Sequence, residues 1–256
     1  MKILMLQTDI AWDCPEENRT RAAAMVRDAA PADLVVLPEM FTTGFKMRPE
    51  VCAEKEDGAT LAWMRALAAE RDAAVAGSVA VEEGGRYYNR FYFVRPDGSY
   101  ASYDKRHLFR MAGEHDRYMA GTERVIVEWR GFRILLQTCY DLRFPVFARN
   151  RNDYDMIIYV ANWPASRIYA WETLLRARAI ENLCYVVGVN RVGVDPDTAY
   201  DGRSALVDPR GEAIAYAPLG QQAAISGVVD LSVLRRFRSE FPALDDADTF
   251  SLKGIV

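Results

Sequence analysis

The chain has 256 residues, of which 50% are hydrophobic and 27% are charged, with 32 basic and 36 acidic residues giving a formal net charge of −4. A chain of this size and apolar content can bury a core without disulfides or metals, which excludes an intrinsically disordered protein. The near balance of charge argues against a dedicated nucleic-acid-binding protein, because such a protein would carry a basic face.

The first half of the chain alternates short β-type runs with amphipathic helical patterns. Ile3–Asp9 is predicted to be a strand, and Pro15–Ala30 a helix with proline in its first turn. Asp33–Leu37 is a continuous apolar run, typical of a strand covered on both faces. A second helix is predicted over Asp57–Arg71 from its apolar stripe. The strands that follow are Ala74–Val81, Tyr87–Arg95 and Tyr100–Asp104.

The second half continues the alternation, with hairpins among the strands. Helices are predicted over Phe144–Asn152 and Ile168–Leu183, and the tail 234–256 is less regular, so we expect it to pack outside the core or against a partner. Residues 1–256 are therefore predicted to form a single layered α/β domain with mixed sheets. The predicted strands are Val125–Trp129, Phe132–Leu136, Met156–Val160, Tyr185–Asn190, Ser204–Asp208, Ala213–Tyr216 and Ala223–Asp230.

Cysteine and histidine usage restricts the chemistry that the chain can support. Four cysteines stand far apart with no C-x-x-C pair, and there are two histidines, so we predict no disulfide framework, no metal site and no cofactor. No apolar run approaches the ~20 residues of a membrane span, and the first residues lack the features of a signal peptide. We therefore expect a cytoplasmic protein with reduced thiols and with neither nucleic-acid nor membrane partners.

Two charged residues lie where predicted strands end. Glu39 follows an apolar strand, where open α/β sheets place their sites, and partial burial there would suit a general base. Lys105 follows Tyr100–Asp104, and its ammonium could hold a developing oxyanion. Taken singly, each is more readily explained as an ordinary solvated residue.

Cys139 stands between a predicted strand and a helical pattern, a context that resembles a nucleophile elbow. An exposed thiol at a helix N-terminus would favour the thiolate, and the backbone N–H groups after it could point at an oxyanion. The alternative, a buried structural cysteine, fits Cys184 better because that residue lies inside an apolar run. Together, Glu39, Lys105 and Cys139 would supply base, oxyanion holder and nucleophile without histidine or metal.

Three segments resemble the signature segments of the nitrilase superfamily of carbon-nitrogen hydrolases. They are Leu37–Phe41, Tyr103–Phe109 and Thr138–Pro145, which occur in the family's order. The resemblance implies a four-layer αββα sandwich that usually forms a homodimer. It also implies that the three functional residues are Glu39 as general base, Lys105 as oxyanion stabiliser and Cys139 as nucleophile.

The resemblance extends to two further residues around the site. Glu114, in Gly113-Glu114-His115, corresponds to the family's supporting glutamate, which would orient Lys105 or assist in activating water. The backbone N–H of Tyr140 would be the second oxyanion donor.

Within the superfamily, the chain is most similar to bacterial omega-amidases. The segments that carry this similarity are Cys139–Pro145, Ala161–Pro164 and Gly113–His115. These enzymes hydrolyse 2-oxoglutaramate or 2-oxosuccinamate to the dicarboxylate and ammonia. True nitrilases usually have Trp-Glu after the cysteine, where this chain has Tyr140-Asp141, which argues against nitrile hydrolysis.

A small-molecule amide with a distal carboxylate is the substrate that this similarity implies. Arg143, about one helical turn after Cys139, would bind the carboxylate, with Trp163 and Ser166 as further substrate-binding residues. The competing interpretation is that Arg143 pairs with Asp141 or Glu172. An N-carbamoyl or other aliphatic amide hydrolase would keep the same catalytic residues, and a non-catalytic binding scaffold is the third possibility.

Overall fold

Two large β-sheets form the middle of the molecule in the computed structural model, which describes residues 1–252. Within that range one sheet has seven strands and the other six, and a two-stranded ribbon stands apart from them. In chain order the strands are β1 (Lys2–Gln7), β2 (Leu34–Val36), β3 (Glu54–Lys55), β4 (Ala74–Glu83), β5 (Arg86–Val94), β6 (Tyr100–Asp104), β7 (Ile126–Trp129), β8 (Phe132–Thr138), β9 (Met156–Ala161), β10 (Tyr185–Asn190), β11 (Val192–Val194), β12 (Ala199–Asp201), β13 (Ala205–Val207), β14 (Ala213–Tyr216) and β15 (Ala223–Val228).

Each large sheet has parallel strands at its centre and antiparallel strands at its margins. The strand order of the first sheet is β15-β1-β2-β4-β5-β6, and β3 also pairs with β4. The strand order of the second sheet is β14-β13-β10-β9-β8-β7. β1, β2 and β4 are parallel, as are β8, β9 and β10. The carboxyl ends of parallel strands meet at one edge of a sheet, which is where α/β proteins place their functional residues.

Helices cover the outer faces of both sheets. Their bounds are α1 (Pro15–Asp28), α2 (Pro49–Cys52), α3 (Ala59–Arg71), α4 (Pro145–Ala148), α5 (Ile168–Asn182) and α6 (Leu231–Glu240). α1 and α3 pack on the first sheet, and α5 packs on the second. The four layers are therefore helix, sheet, sheet and helix, which confirms the predicted αββα sandwich.

Successive side chains of a strand point to opposite faces of its sheet, and this alternation explains the layering. In β1, Ile3 and Met5 point into the core between the sheets, whereas Leu4 and Leu6 point towards α1 and α3. Each buried aliphatic side chain stabilises the fold by about 1.5–3 kcal/mol relative to its exposed state. A strand with apolar residues on both faces can lie only between two apolar layers, and so the sequence of β1 requires a covered sheet.

Most predicted element boundaries agree with the structure to within two residues. Tyr100–Asp104, Tyr185–Asn190 and Ala213–Tyr216 are predicted without error. The short elements α2, β3, β11 and β12 are missed because two to four residues carry too little periodicity.

The predicted helix over Phe144–Asn152 is wrong in its extent, since α4 ends at Ala148. Arg149 leaves the helical conformation with φ −55° and ψ 126°, and the Asn150 backbone N–H donates to Asn182 Oδ1 at 2.9 Å. This side-chain acceptor gives the backbone N–H an alternative to continuing the helix.

The predicted irregular tail is also partly wrong, because its first residues belong to α6. Asp230 caps this helix by accepting a hydrogen bond from the Ser232 N–H at 2.7 Å, and Leu234 is buried in the core between the sheets. Residues 253–256 of the predicted tail lie outside the described residues. Among residues 1–252, no helix is both long enough and apolar enough to cross a membrane.

Candidate active site

The three residues predicted to carry the chemistry all follow the carboxyl ends of strands. Glu39 comes three residues after β2, Lys105 directly follows β6, and Cys139 directly follows β8. Because the two sheets are stacked, these strand ends from different sheets meet at one end of the sandwich. The structure brings together all three residues and also Glu114, as the sequence predicts.

Lys105 lies between two carboxylates in the interior of the protein. Its Nζ is 2.9 Å from Glu39 Oε1 and is 2.9 and 3.1 Å from the two carboxylate oxygens of Glu114. All three side chains are 0% exposed. Glu114 also accepts a hydrogen bond from the Phe109 N–H at 2.6 Å. Of the two roles considered for Glu114, its contacts support the orientation of Lys105.

Two asparagines complete this cluster, and the sequence reasoning assigned a role to neither. Asn89 Nδ2 donates to Glu39 Oε1 at 2.7 Å, and its Oδ1 accepts a bond from the Ser78 hydroxyl at 2.8 Å. Asn162, directly after β9, donates its backbone N–H to Glu39 Oε2 at 2.8 Å. Asparagine is depleted in strand interiors, so Asn89 within β5 is the signal that could have drawn attention.

The charges of the cluster stabilise one another against burial. Burial opposes the charge of Lys105, but the carboxylates of Glu114 and Glu39 outweigh it, and the pKa of Lys105 is raised above its ordinary value. Burial raises the pKa of Glu114, with Lys105 acting in the opposite direction and Glu39 adding to the increase. The ammonium is therefore a permanent charge at neutral pH, which suits a group that must hold an oxyanion.

Cys139 opens a tight 3-10 turn, Cys139–Arg143, at a strained backbone conformation. Its φ is +45°, in the left-handed region that L-residues other than glycine rarely adopt. Asp141, fully buried, holds the turn by accepting bonds from the Thr138 N–H at 2.9 Å and the Tyr103 hydroxyl at 2.7 Å. His107 contributes its backbone N–H at 2.9 Å, and its ring Nδ1 lies 2.7 Å from Asp141. The predicted nucleophile elbow is therefore present, and the buried carboxylate of Asp141 stabilises it.

The protonation state expected for Cys139 differs from the prediction. The sequence context predicts an exposed thiol that favours the thiolate, whereas the side chain is 9% exposed. Burial and the nearby Glu39 carboxylate raise the pKa of the thiol well above its ordinary value, and Lys105 counteracts this only in part. The resting thiol is protonated, so a base must remove its proton. Cys184, as predicted, is a fully buried cysteine of the core.

A cavity of about 100 Å³ opens beside Cys139. It is mostly lined by aromatic and other apolar side chains and also contains two guanidinium groups. Its walls are Phe45, Phe109, Ala112, Cys139, Tyr140, Arg143, Asn162, Trp163, Pro164, Arg167, Thr198 and Tyr200.

The predicted substrate-binding residues divide into those that reach the cavity and one that does not. Arg143 and Trp163 are both in its wall, with the Arg143 guanidinium 5.0 Å from the centre of the Trp163 ring system. Ser166 is exposed and is absent from the described residues of the wall, where the next residue, Arg167, takes part instead. The 3-10 turn Ala165–Arg167 turns neighbouring side chains in different directions, which sequence spacing alone does not reveal.

The proposed structural partners of Arg143 are already engaged elsewhere. Asp141 is bound to His107, and Glu172 lies 3.8 Å from Arg203. Arg143 is exposed at the cavity and stacks on Trp163. The competing interpretation, that Arg143 merely pairs with one of these carboxylates, therefore has no support in the contacts of the described residues.

Comparison with known proteins identifies the family of the chain. A family model described as carbon-nitrogen hydrolase matches residues 3–239. The chain belongs to this family. It is 48% identical over 253 residues to the protein named omega-amidase YafV of Yersinia enterocolitica, covering 98% of both chains. It is 33% identical to the 2-oxoglutaramate amidase of Bacillus subtilis, covering 95% of this chain and 96% of that one.

A solved structure agrees equally well with the fold. The crystal structure of XC1258 from Xanthomonas campestris, described as a CN-hydrolase superfamily protein with an arsenic adduct in its active site, matches with a TM-score of 0.95. The two sequences are 45% identical, and the match covers 99% of each chain. The predicted membership of the nitrilase superfamily, and the similarity to omega-amidases within it, are confirmed. This carbon-nitrogen hydrolase is therefore an enzyme.

Proposed function

We propose that this carbon-nitrogen hydrolase is an omega-amidase. It hydrolyses the ω-amide of 2-oxo dicarboxylic acid monoamides, such as 2-oxoglutaramate and 2-oxosuccinamate, to the dicarboxylate and ammonia. The observation that carries the proposal is the near-full-length similarity to a relative named omega-amidase, in a chain whose cavity is lined by Cys139 and by arginines. An amide at one end of the substrate would meet the sulfur, and a carboxylate at the other end would meet a guanidinium.

The first half-reaction forms a thioester on Cys139. Glu39 takes the proton of the thiol as the sulfur attacks the amide carbonyl carbon. The resulting oxyanion is held by the Lys105 ammonium and by the backbone N–H of Tyr140, which lies in the first turn of a 3-10 helix and has no intrahelical acceptor. Protonated Glu39 then gives its proton to the nitrogen, and ammonia leaves as the C–N bond breaks.

The second half-reaction hydrolyses the thioester. Glu39, again ionised, removes a proton from water as the water oxygen attacks the thioester carbonyl carbon. The same two donors hold the second oxyanion, the C–S bond breaks, and Glu39 returns the proton to the sulfur. The dicarboxylate leaves and the thiol of Cys139 is restored, so that one water is consumed for each ammonia released.

The supporting residues keep Glu39 and Lys105 in place through both steps. Asn89 and the Asn162 N–H bind opposite oxygens of the Glu39 carboxylate, which fixes its plane. Glu114 holds Lys105 from the other side. Acid–base catalysis from a positioned group contributes about 10²–10⁴ in rate, and one oxyanion donor about 10²–10³. Both contributions depend on positions fixed to within a fraction of an ångström.

The charge of the cavity suits an anionic substrate. Arg143 supplies a guanidinium whose fork matches a carboxylate, and the face of Trp163 keeps that guanidinium over the pocket. The buried cluster contains two carboxylates and one ammonium, so negative groups outnumber positive ones. An anionic substrate therefore needs a further cation in the cavity that it enters. Arg143 is proposed to provide it.

Ammonia release from a panel of amides tests the proposal. The purified enzyme is incubated with 2-oxoglutaramate, 2-oxosuccinamate, an N-carbamoyl amino acid, an uncharged aliphatic amide and a nitrile at equal concentration. We expect the highest kcat/KM for the two 2-oxo acid monoamides. Preference for the N-carbamoyl compound or the uncharged amide would contradict the substrate assignment, and no turnover of any compound would support a scaffold.

We also propose that the enzyme is a homodimer. Apolar side chains in α4 and α5 and directly after α6 are exposed, among them Val146 at 53%, Ile180 at 51% and Phe241 at 56%. A second copy that packs over these side chains would remove them from water. Sedimentation should give the mass of two chains, and Ile180→Asp should shift the equilibrium from the dimer towards the monomer.

Finally, we propose a cytoplasmic location. The reaction requires the thiol of Cys139 to remain reduced, and the cytoplasm maintains that state. Cell fractionation followed by immunodetection would test this location.

A further inference from the structure

A second guanidinium in the cavity wall has no role in the mechanism above. Arg167 lies at the end of the 3-10 turn Ala165–Arg167, between β9 and α5, and lines the same cavity as Cys139 and Arg143. It reaches the cavity from a different segment of the chain, 24 positions beyond Arg143 in the numbering. Two arginines from separate elements therefore converge on one small, mostly aromatic space.

One buried tryptophan links the two arginines. The Arg143 guanidinium lies over the ring of Trp163. The Nε1 of Trp163 donates a hydrogen bond to the Arg167 carbonyl at 2.8 Å. Its side chain is nearly inaccessible, because Trp163 is 3% exposed and packs 5.5 Å from the ring of Trp171. The Arg167 guanidinium itself lies 5.3 Å from the centre of the Phe109 ring. Aromatic faces thus hold both guanidiniums while leaving their N–H groups available for a ligand.

Neither guanidinium is neutralised within the described chain. The ion pairs of residues 1–252 include neither Arg143 nor Arg167, and the acidic residues nearest in sequence, Asp141 and Glu172, are bound to His107 and Arg203. Two cations that line one small cavity without a counter-charge repel each other, so the arrangement is most favourable when an anion enters the cavity.

The chemistry of a 2-oxo acid fits two guanidiniums better than one. A carboxylate offers two oxygens, which one planar fork can bind in a bidentate manner. The adjacent 2-oxo group offers a third acceptor in the same small region, and this oxygen needs a donor of its own. A simple carboxylate would leave the second guanidinium without a matched acceptor.

We propose that Arg167 is a second specificity-determining residue, which together with Arg143 binds the 2-oxo carboxylate end of the substrate. This inference rests on the proposed function and extends it, because it assigns the preference for a 2-oxo acid over a plain carboxylic acid to a named residue. Arg143 alone would select for a distal negative charge, whereas the pair selects for a carboxylate with a neighbouring carbonyl.

The test compares three substrates of similar length on two variants. Arg167→Met and Arg167→Lys are assayed with 2-oxoglutaramate, with glutaramate, which lacks the oxo group, and with the uncharged valeramide. For Arg167→Met we expect kcat/KM on 2-oxoglutaramate to fall about 10- to 100-fold, mainly through KM, as for the loss of one charge-assisted hydrogen bond. The loss on glutaramate should be smaller, and that on valeramide smaller still. Arg167→Lys should lie between the wild type and Arg167→Met, because lysine keeps the charge without the fork.

A matched control is available on the surface. Arg210 is exposed and stacks on Phe237 at 4.4 Å, as Arg167 does on Phe109, but it is not part of the cavity wall. Arg210→Met should leave all three activities unchanged. This control separates the loss of a stacked arginine in general from the loss of one that contacts substrate.

The possible outcomes distinguish this inference from the proposed function. Suppose that the wild type hydrolyses 2-oxoglutaramate but Arg167→Met loses activity equally on all three substrates. Arg167 then supports Phe109 and contacts no substrate group, and the inference is overturned. Unchanged KM values in Arg167→Met would overturn it as well. If the wild type releases no ammonia from 2-oxoglutaramate, the proposed function fails and the inference fails with it.

Discussion

Lys105→Met tests the electrostatics of the active site through stability as well as through activity. Methionine approximates the length of the lysine side chain but leaves Glu39 and Glu114 without the cation that both contact at 2.9 Å. Removing one partner from a buried ion pair typically destabilises a protein by about 3–5 kcal/mol, because a charge stays buried without compensation. In a domain of this size, each 1 kcal/mol shifts Tm by roughly 2–4 °C, so a decrease of about 6–20 °C is expected near neutral pH.

The effect should depend on pH in a defined direction. Burial raises the pKa of Glu114 in the wild type, and Lys105 opposes that increase. Without Lys105 the pKa rises further, so the folded protein favours the protonated carboxyl more strongly. A group whose folded pKa exceeds its unfolded pKa contributes stability that is complete below the unfolded value and is lost as pH rises through the folded value. The Tm difference between wild type and variant should therefore be smallest near pH 5 and grow towards pH 8.

Scanning calorimetry from pH 5 to pH 8 measures both effects, with two further variants as controls. Lys55→Met removes a surface lysine that is 75% exposed and pairs with Glu82, and it should change stability by less than about 1 kcal/mol at every pH. Lys105→Met combined with Glu114→Gln should recover part of the lost stability at pH 7.5, because one of the two unpaired carboxylates becomes neutral. A Lys105→Met variant with wild-type Tm throughout this range would refute the view that Lys105 compensates two buried charges.

Four further predictions concern the reaction itself. Cys139→Ala and Glu39→Gln should each abolish ammonia release while the circular dichroism spectrum stays that of the wild type, and near-normal turnover by either would disprove its assigned role. Burial raises the pKa of the Cys139 thiol, so the rate of alkylation at this residue should increase steadily from pH 7 to pH 9; a plateau below pH 8 would indicate a resting thiolate. Activity should survive exhaustive dialysis against EDTA because Lys105, rather than a metal ion, is proposed to hold the oxyanion, and a loss reversed by a divalent ion would contradict this mechanism. Arg143→Met should raise KM for 2-oxoglutaramate about 10- to 100-fold with a smaller effect on an uncharged amide, and equal losses on both would mean that Arg143 binds no carboxylate.

The positions of the proposed catalytic residues could be predicted from the sequence because each follows a recognisable strand. Glu39 and Cys139 come after the apolar runs of β2 and β8, and Lys105 comes after β6. Strand ends on one edge of a layered sheet converge, which agrees with a common site. Taken singly, however, Glu39 and Lys105 fit ordinary solvated residues, and the resemblance to the nitrilase superfamily was needed to assign their roles. The strand and helix patterns likewise predicted a layered α/β domain with mixed sheets, and the resemblance to the nitrilase superfamily supplied the four-layer αββα arrangement.

The contacts of two supporting asparagines could not be predicted because their partner is distant in the sequence. Asn89 and Asn162 bind Glu39 across 50 and 123 positions, and neither contact leaves a local pattern. Asp141 is a further residue whose contacts could not be predicted, although they span fewer positions in the sequence. The sequence allows Asp141 to pair with Arg143, but in the fold Asp141 binds the Tyr103 hydroxyl and His107 and so supports the turn that carries Cys139.

In the proposed mechanism, the geometry around Cys139 requires base and nucleophile to act in the same step. A φ of +45° at a non-glycine residue costs about 1–3 kcal/mol, and the buried Asp141 stabilises the turn through several hydrogen bonds. This turn places the sulfur beside Glu39, in surroundings that raise the pKa of its thiol. A free thiolate is therefore unfavourable before substrate arrives. Once an amide carbonyl is present, the proton can pass to Glu39 while the new negative charge moves from sulfur to an oxygen beside Lys105. The buried cluster thus favours negative charge on the substrate oxygen over negative charge on the sulfur, and this difference lowers the barrier of the chemical step.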